Sequence, residues 1–169
     1  MAAKHAVSPL APKSTPTLPR IAGVKLAAAQ SGVRYQGRDD VMLALVPAGA
    51  TIAGVLTRSK TCSAPVDWCR KNLARGKVRA IVVNAGNANA FTGKAGDAIV
   101  DRTVKATARL LGCGENEVFV ASTGVIGEPM ADDRLTAALP SLQSKLGDDW
   151  AAAARAIMTT DRSEEHTSE

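Results

Sequence analysis

Two stretches of this sequence combine small side chains with hydrogen-bonding groups. Residues 83–93, VNAGNANAFTG, carry Asn84, Asn87 and Asn89 among alanines and glycines. Residues 122–127, STGVIG, carry Ser122 and Thr123 hydroxyls next to Gly124. An amide side chain is donor and acceptor at neutral charge. A glycine lets a reacting group approach the main chain. Together they suit a ligand site built close to the main chain. Tight turns are the competing explanation, because Asn and Gly both tolerate left-handed backbone angles.

Other chemistries are poorly served. The glycines of residues 83–93 match neither GxGxxG nor GxxxxGK[ST], so a phosphate cradle is not indicated. The histidines are His5, in a proline-rich N-terminal stretch, and His166, near the end, which argues against a histidine-based triad. Cys62 and Cys69 show no evident base in sequence and read as ordinary thiols. Their spacing is not CxxC, and with so few histidines no zinc site is expected. Asp39-Asp40 and Asp132-Asp133 read as turn and helix-start residues rather than catalytic carboxylate pairs.

Each small-residue stretch follows an apolar run, so the elements that position them are strands. Residues 78–83 and 117–122 read as two strands. Val41–Val46 reads as another, closed by Pro47-Ala48-Gly49, with Thr51–Thr57 as its hairpin partner. A helix is expected from Pro65 through Leu73, stopped by Gly76. The clearest helix spans Asp97–Leu111, with Ile99, Val100, Val104, Thr107, Leu110 and Leu111 on one face and an Asp101–Lys105 pair. A short helix over 132–139, a restart at Pro140 and a last helix over 148–158 complete the order. That order predicts an α/β fold, a mixed sheet with flanking helices. Ligands of such sheets commonly bind beyond strand ends, where both stretches lie.

The 169 residues fit one domain, and 46% hydrophobic content suffices for a core. Aromatics are 3%, so that core must be aliphatic. The net charge of +5 is scattered and not interleaved with aromatics, so no nucleic-acid partner is expected. No apolar run reaches membrane-spanning length, so no membrane partner is expected. Three cysteines without a secretory signal suggest reduced thiols and a cytoplasmic location. Residues 1–20 hold four prolines and read as a flexible tail. Residues 21–161 read as the domain. Residues 162–169, RSEEHTSE, break with the Ala-rich helix before them and match the in-frame translation of a common sequencing adapter. They are expected to be an artefact.

Taken with their neighbours, these residues resemble a known family. VNAGNANAFTG followed by GDA resembles the N-[AS]-G-N-A-N-A-x-T-G motif of the ornithine acetyltransferases, the bifunctional glutamate N-acetyltransferases of arginine biosynthesis. Gly32–Asp40 resembles the family's G-[IV]-K-x-x-x-R-x-D, with Arg34 in place of the lysine. Ala53–Thr57, Ala64–Val66, Ser122–Gly127 and Ala156–Asp161 resemble its A-G-V-F-T, A-P-V, S-T-G-V-I-G and A-I-M-T-T-D elements, in family order.

The resemblance implies acetyl transfer from N-acetylornithine to glutamate, with acetyl-CoA a second donor in some members and no cofactor. It implies a precursor that cleaves itself, freeing a threonine whose hydroxyl attacks the acetyl carbonyl with its own α-amine as base. It implies a heterotetramer of two alpha and two beta chains. The Thr123 hydroxyl and the Gly124 N–H would form the oxyanion hole. Asn84, Asn87 and Asn89 would order pocket and substrate, and Thr160 would contact substrate. The family's T-T-D-T ends here in Arg162, so a contact from that last threonine does not carry over. The K-G-A…L-A-T-M-L cleavage segment, with the nucleophile, is not in these residues. The chain therefore reads as an alpha-chain portion, inactive alone. Two alternatives stay open: a related self-cleaving aminopeptidase, and a small-molecule binding module without chemistry.

Overall fold

The computed structural model describes Ser14 and residues 17–159. The tail reading of residues 1–20 falls mostly outside these residues. Thr160, Asp161 and the octapeptide 162–169 lie wholly outside them.

Four strands form one mixed sheet in chain order: β1 (Lys25–Ala29), β2 (Val41–Leu45), β3 (Ala80–Asn87) and β4 (Val118–Val125). β1–β2 and β2–β3 are antiparallel and β3–β4 is parallel. The parallel pair requires a crossover, which α2 (Gly93–Leu111) supplies. The other helices are α1 (Ala64–Leu73), α3 (Asp132–Ser144) and α4 (Trp150–Ile157). This is the expected α/β class with a mixed sheet and flanking helices.

Side-chain alternation sorts the core. Ala27, Ala29, Val41, Leu43, Ala80, Val82, Val118 and Val120 face α2 and α3, meeting Ile99, Val104, Leu135, Leu139 and Leu142. On the opposite face Leu26, Met42, Ala44 and Ile81 meet Trp150 and Ala153 of α4. α1 closes the outer edge of β4, where the Trp68 indole N–H donates to the Val118 carbonyl at 2.8 Å and the Cys69 thiol to the Val120 carbonyl at 3.2 Å.

Several expectations are corrected. Thr51–Thr57 is not the hairpin partner of β2: apart from an antiparallel bridge from Thr51 to Lys77 it forms no strand, and Val55 is 98% exposed. β2 instead pairs with β1, an alanine-rich segment whose weak β preference concealed it. α2 begins at Gly93, a turn before Asp97, so its first turn holds no acid. Its end is as expected: Gly112 is left-handed at φ 63°, and its N–H bonds the Ala108 carbonyl. Lys105 and Asp101 pair at 2.8 Å. Pro140 does not restart a helix but sits inside α3, where it removes one main-chain donor.

Each of the two small-residue stretches begins as strand. β3 runs on to Asn87 and β4 to Val125, paired residue by residue.

Candidate active site

The parallel register sets Asn84 opposite Ser122, Ala85 opposite Thr123, Gly86 opposite Gly124 and Asn87 opposite Val125. Residues far apart in sequence therefore form one surface. Asn and Gly are poor strand formers, so the pairing needs other support. It comes from the amides. The Ser122 hydroxyl donates to Asn84 Oδ1 at 2.6 Å, and Asn84 Nδ2 donates to the Asn87 carbonyl at 2.9 Å. Asn87 Oδ1 accepts from the Asn89 N–H at 2.8 Å, while its Nδ2 donates to the Glu128 carbonyl at 3.0 Å. Asn89 Nδ2 reaches the Gly96 carbonyl at 3.0 Å, and the Thr92 hydroxyl donates to Asn89 Oδ1 at 2.8 Å.

All three asparagines are buried. Their amides satisfy main-chain groups in a region with few bulky side chains. Asn89 takes a left-handed φ of 47°, which asparagine tolerates better than most residues. Gly127 N–H donates to the Ala90 carbonyl at 2.8 Å, so the chain leaving β4 folds back onto the chain leaving β3.

Glycine is required where the strands meet. Gly124 has φ 130°, and a Cβ there would lie 2.3 Å from the Gly86 carbonyl carbon. Gly86 has φ 105°, and its Cβ would lie 2.8 Å from Arg34 Cβ and 3.0 Å from the Tyr35 ring.

Alternate residues of a parallel strand direct their main-chain groups to opposite edges. Val118 and Val120 carbonyls bond α1, whereas the Val125 carbonyl accepts from Ala88 N–H on the β3 side. Gly124, at φ 130°, interrupts the regular strand geometry between them. It is exposed, and Thr123 is half-buried beside it. No hydrogen bond engages the Thr123 hydroxyl among the described residues. The structure thus brings Thr123, Gly124, Asn84 and Asn87 together at one strand pair, with Asn89 just beyond.

Cys62 and Cys69 have different surroundings. Burial pushes the Cys69 thiol above its ordinary pKa, so it stays protonated near neutrality. The Cys62 thiol lies 3.2 Å from Asp67 Oδ1, but that carboxylate is already held by Arg70 at 2.5 Å. A cavity of about 270 Å³ beside Cys62 is lined also by Thr61, Asp67, Phe91, Thr92 and Asp97, and neither Thr123 nor Gly124 lines it. Among the described residues no cluster of three His, Cys, Asp or Glu could hold a metal ion. No described helix is long and apolar enough to cross a membrane.

Sequence reasoning overlooked Asp40, Arg38 and the Gly86–Gly124 approach. Asp40 is fully buried, and its carboxylate accepts from the Ser31 and Gly32 N–H groups at 2.5 and 3.2 Å. Its main chain bonds Ala29 and Ala85. The R-x-D spacing of Arg38 and Asp40 was the available signal.

The sequence pattern of the ArgJ family matches residues 25–169. This chain belongs to the ArgJ family. The arginine biosynthesis bifunctional protein ArgJ of Bradyrhizobium diazoefficiens is 54% identical over 156 residues, covering 92% of this chain and 38% of that protein. Its Agrobacterium fabrum counterpart is 52% identical over 157 residues, again covering 92% and 38%. The chain thus spans well under half the length of these curated relatives. Among solved structures, the Mycobacterium tuberculosis ornithine acetyltransferase complexed with ornithine superposes with a TM-score of 0.79 at 36% identity, covering 83% of this chain and 78% of that one. ArgJ of Bacillus halodurans superposes with a TM-score of 0.73 at 31% identity, covering 83% and 74%. The ArgJ identity agrees with the family expected from the motifs.

Proposed function

We propose that this chain is the alpha-chain portion of an ornithine acetyltransferase, whose whole form moves an acetyl group from N-acetylornithine to glutamate. The observation that carries the reading is the exposed Gly124 at the end of β4, beside a Thr123 hydroxyl without a protein partner among the described residues. Acyl transfer passes through a tetrahedral oxyanion. Donors held at the oxyanion's position before reaction lower the barrier without reorganising. Thr123 Oγ1 and Gly124 N supply such donors from a rigid strand pair. Asn84, Asn87 and Asn89 act by fixing the main chain that carries the donors and shapes the pocket. Thr160 contacts substrate.

The nucleophile, a threonine freed by self-cleavage, resides in a beta chain outside this sequence. Comparative lengths support that division. The match covers 78% of the solved M. tuberculosis chain but only 38% of the curated B. diazoefficiens protein, so the solved chain is much the shorter. Two alpha and two beta chains assemble in the cytoplasm, and no cofactor takes part.

Assay of the full-length gene product with N-acetylornithine, in the presence and absence of glutamate, tests the reading. Formation of N-acetylglutamate is the expected result. Acetate release independent of glutamate would instead favour a hydrolase of the aminopeptidase kind.

A further inference from the structure

We infer that Arg38 is a positioning residue, setting the Met158–Thr159 main chain in register with the Thr123–Gly124 donor pair. The inference rests on the reading above, in which the threonine segment and the donor pair serve one substrate.

The 31–40 loop touches both parts. Its base is fixed by buried Asp40 through the Ser31 and Gly32 N–H groups. On one side Arg34 pairs with Glu128 at 2.6 Å, four residues beyond Gly124. Arg34 and Tyr35 also lie against Gly86, at distances that leave no room for a Cβ. Gly86 in turn is in close contact with Gly124. On the other side Arg38 Nη2 donates to the Met158 carbonyl at 2.5 Å and to the Arg155 carbonyl at 3.3 Å. These carbonyls lie at the end of α4, where a cation is favoured, and the Arg155 carbonyl also accepts from the Met158 N–H at 3.4 Å. The guanidinium lies 4.4 Å from the Tyr35 ring centroid, and its Nε donates to the Asp39 carbonyl at 3.3 Å.

A continuous path of contacts therefore runs from Met158 through Arg38, Tyr35 and Gly86 to Gly124. The planar fork of arginine can meet these carbonyls while stacking on the ring, and lysine cannot do both. Displacement of a substrate-positioning segment by about an ångström costs up to roughly a hundredfold in rate or specificity.

The test has two arms. The first needs no catalysis: amide exchange is measured on the full-length enzyme and on its Arg38→Ala and Arg38→Lys variants. Exchange across residues 155–159 is expected to quicken roughly tenfold in Arg38→Ala, and less in Arg38→Lys, while β3 and β4 keep their rates. Unchanged exchange across 155–159 would overturn the strut, whatever the enzyme does. The second arm measures kinetics of the full-length enzyme. Arg38→Ala is expected to raise KM for the acetyl donor roughly tenfold, with kcat within about threefold, and Arg38→Lys is expected to fall between. An unchanged KM in both variants, or a fall in stability with both kinetic constants unchanged, would reduce Arg38 to a structural residue. Should Arg38→Ala not fold, Arg38→Lys and Tyr35→Leu decide the matter by the same readouts. Failure here is distinct from failure of the donor assignment, which the kcat of a Thr123 variant reports.

Discussion

Gly86 and Gly124 face each other across the parallel strands so closely that a methyl group on Gly124 would lie 2.3 Å from the Gly86 carbonyl carbon and 2.7 Å from the Asn87 nitrogen. Both glycines also hold φ values that side chains disfavour. The strand end that carries Thr123 and Gly124 is therefore built on a contact that only glycine permits.

Gly124→Ala combines a main-chain clash with an unfavourable φ. A loss of more than about 2 kcal/mol is expected, since strain and overpacking each contribute on that scale. Urea denaturation monitored by circular dichroism measures it. A stability change within about 0.5 kcal/mol, the range of a neutral surface change, would contradict the close approach.

Ser122→Ala removes the donor to Asn84 Oδ1 and leaves a buried amide oxygen short of a partner. The expected cost is about 1–3 kcal/mol, the desolvation penalty of an orphaned polar group. Combining it with Asn84→Ala should cost less than the sum of the two single changes, because the pair acts as a unit. Strict additivity in a double-mutant cycle would count against the coupling.

Asp40→Ala strips two main-chain donors of their acceptor at the base of the 31–40 loop. A loss of about 1–3 kcal/mol is expected, with Asp40→Asn milder because one carbonyl oxygen remains. Proteolysis should cut first within residues 31–39 of the alanine variant. Equal stability of Asp40→Ala and the parent would refute this role.

The raised pKa of Cys69 has a definite sign. Burial disfavours the thiolate, so the unfolded chain loses its proton at lower pH than the folded one. The folded state then binds more protons, and stability falls as pH rises above the ordinary thiol range. With its thiolate disfavoured and its thiol held on the Val120 carbonyl, Cys69 should be alkylated at neutral pH more slowly than Cys62. Labelling of Cys69 as fast as Cys62 would contradict that protection.

Much of this site could be read from sequence, but not its geometry. Thr123 and Gly124 stood out because small polar residues follow an apolar run, and they do occupy one strand end. Their pairing with Ala85 and Gly86 was hidden, since Asn-Gly segments carry turn chemistry rather than strand preference. Only the cross-strand amide bonds of Asn84 and Asn87 explain why the strands continue. The Val55 segment misled for the converse reason: β-branched residues satisfy a strand pattern without specifying a partner. Arg38 was opaque because its partners are carbonyls more than a hundred residues away.

An alanine at residue 123 in the processed full-length enzyme tests the donor assignment most directly. Steady-state rates with N-acetylornithine and glutamate should show kcat lower by roughly a hundredfold, KM within about threefold, and an unchanged melting temperature. A variant that keeps its kcat and changes only KM would contradict the oxyanion role and favour a site that binds without stabilising a transition state.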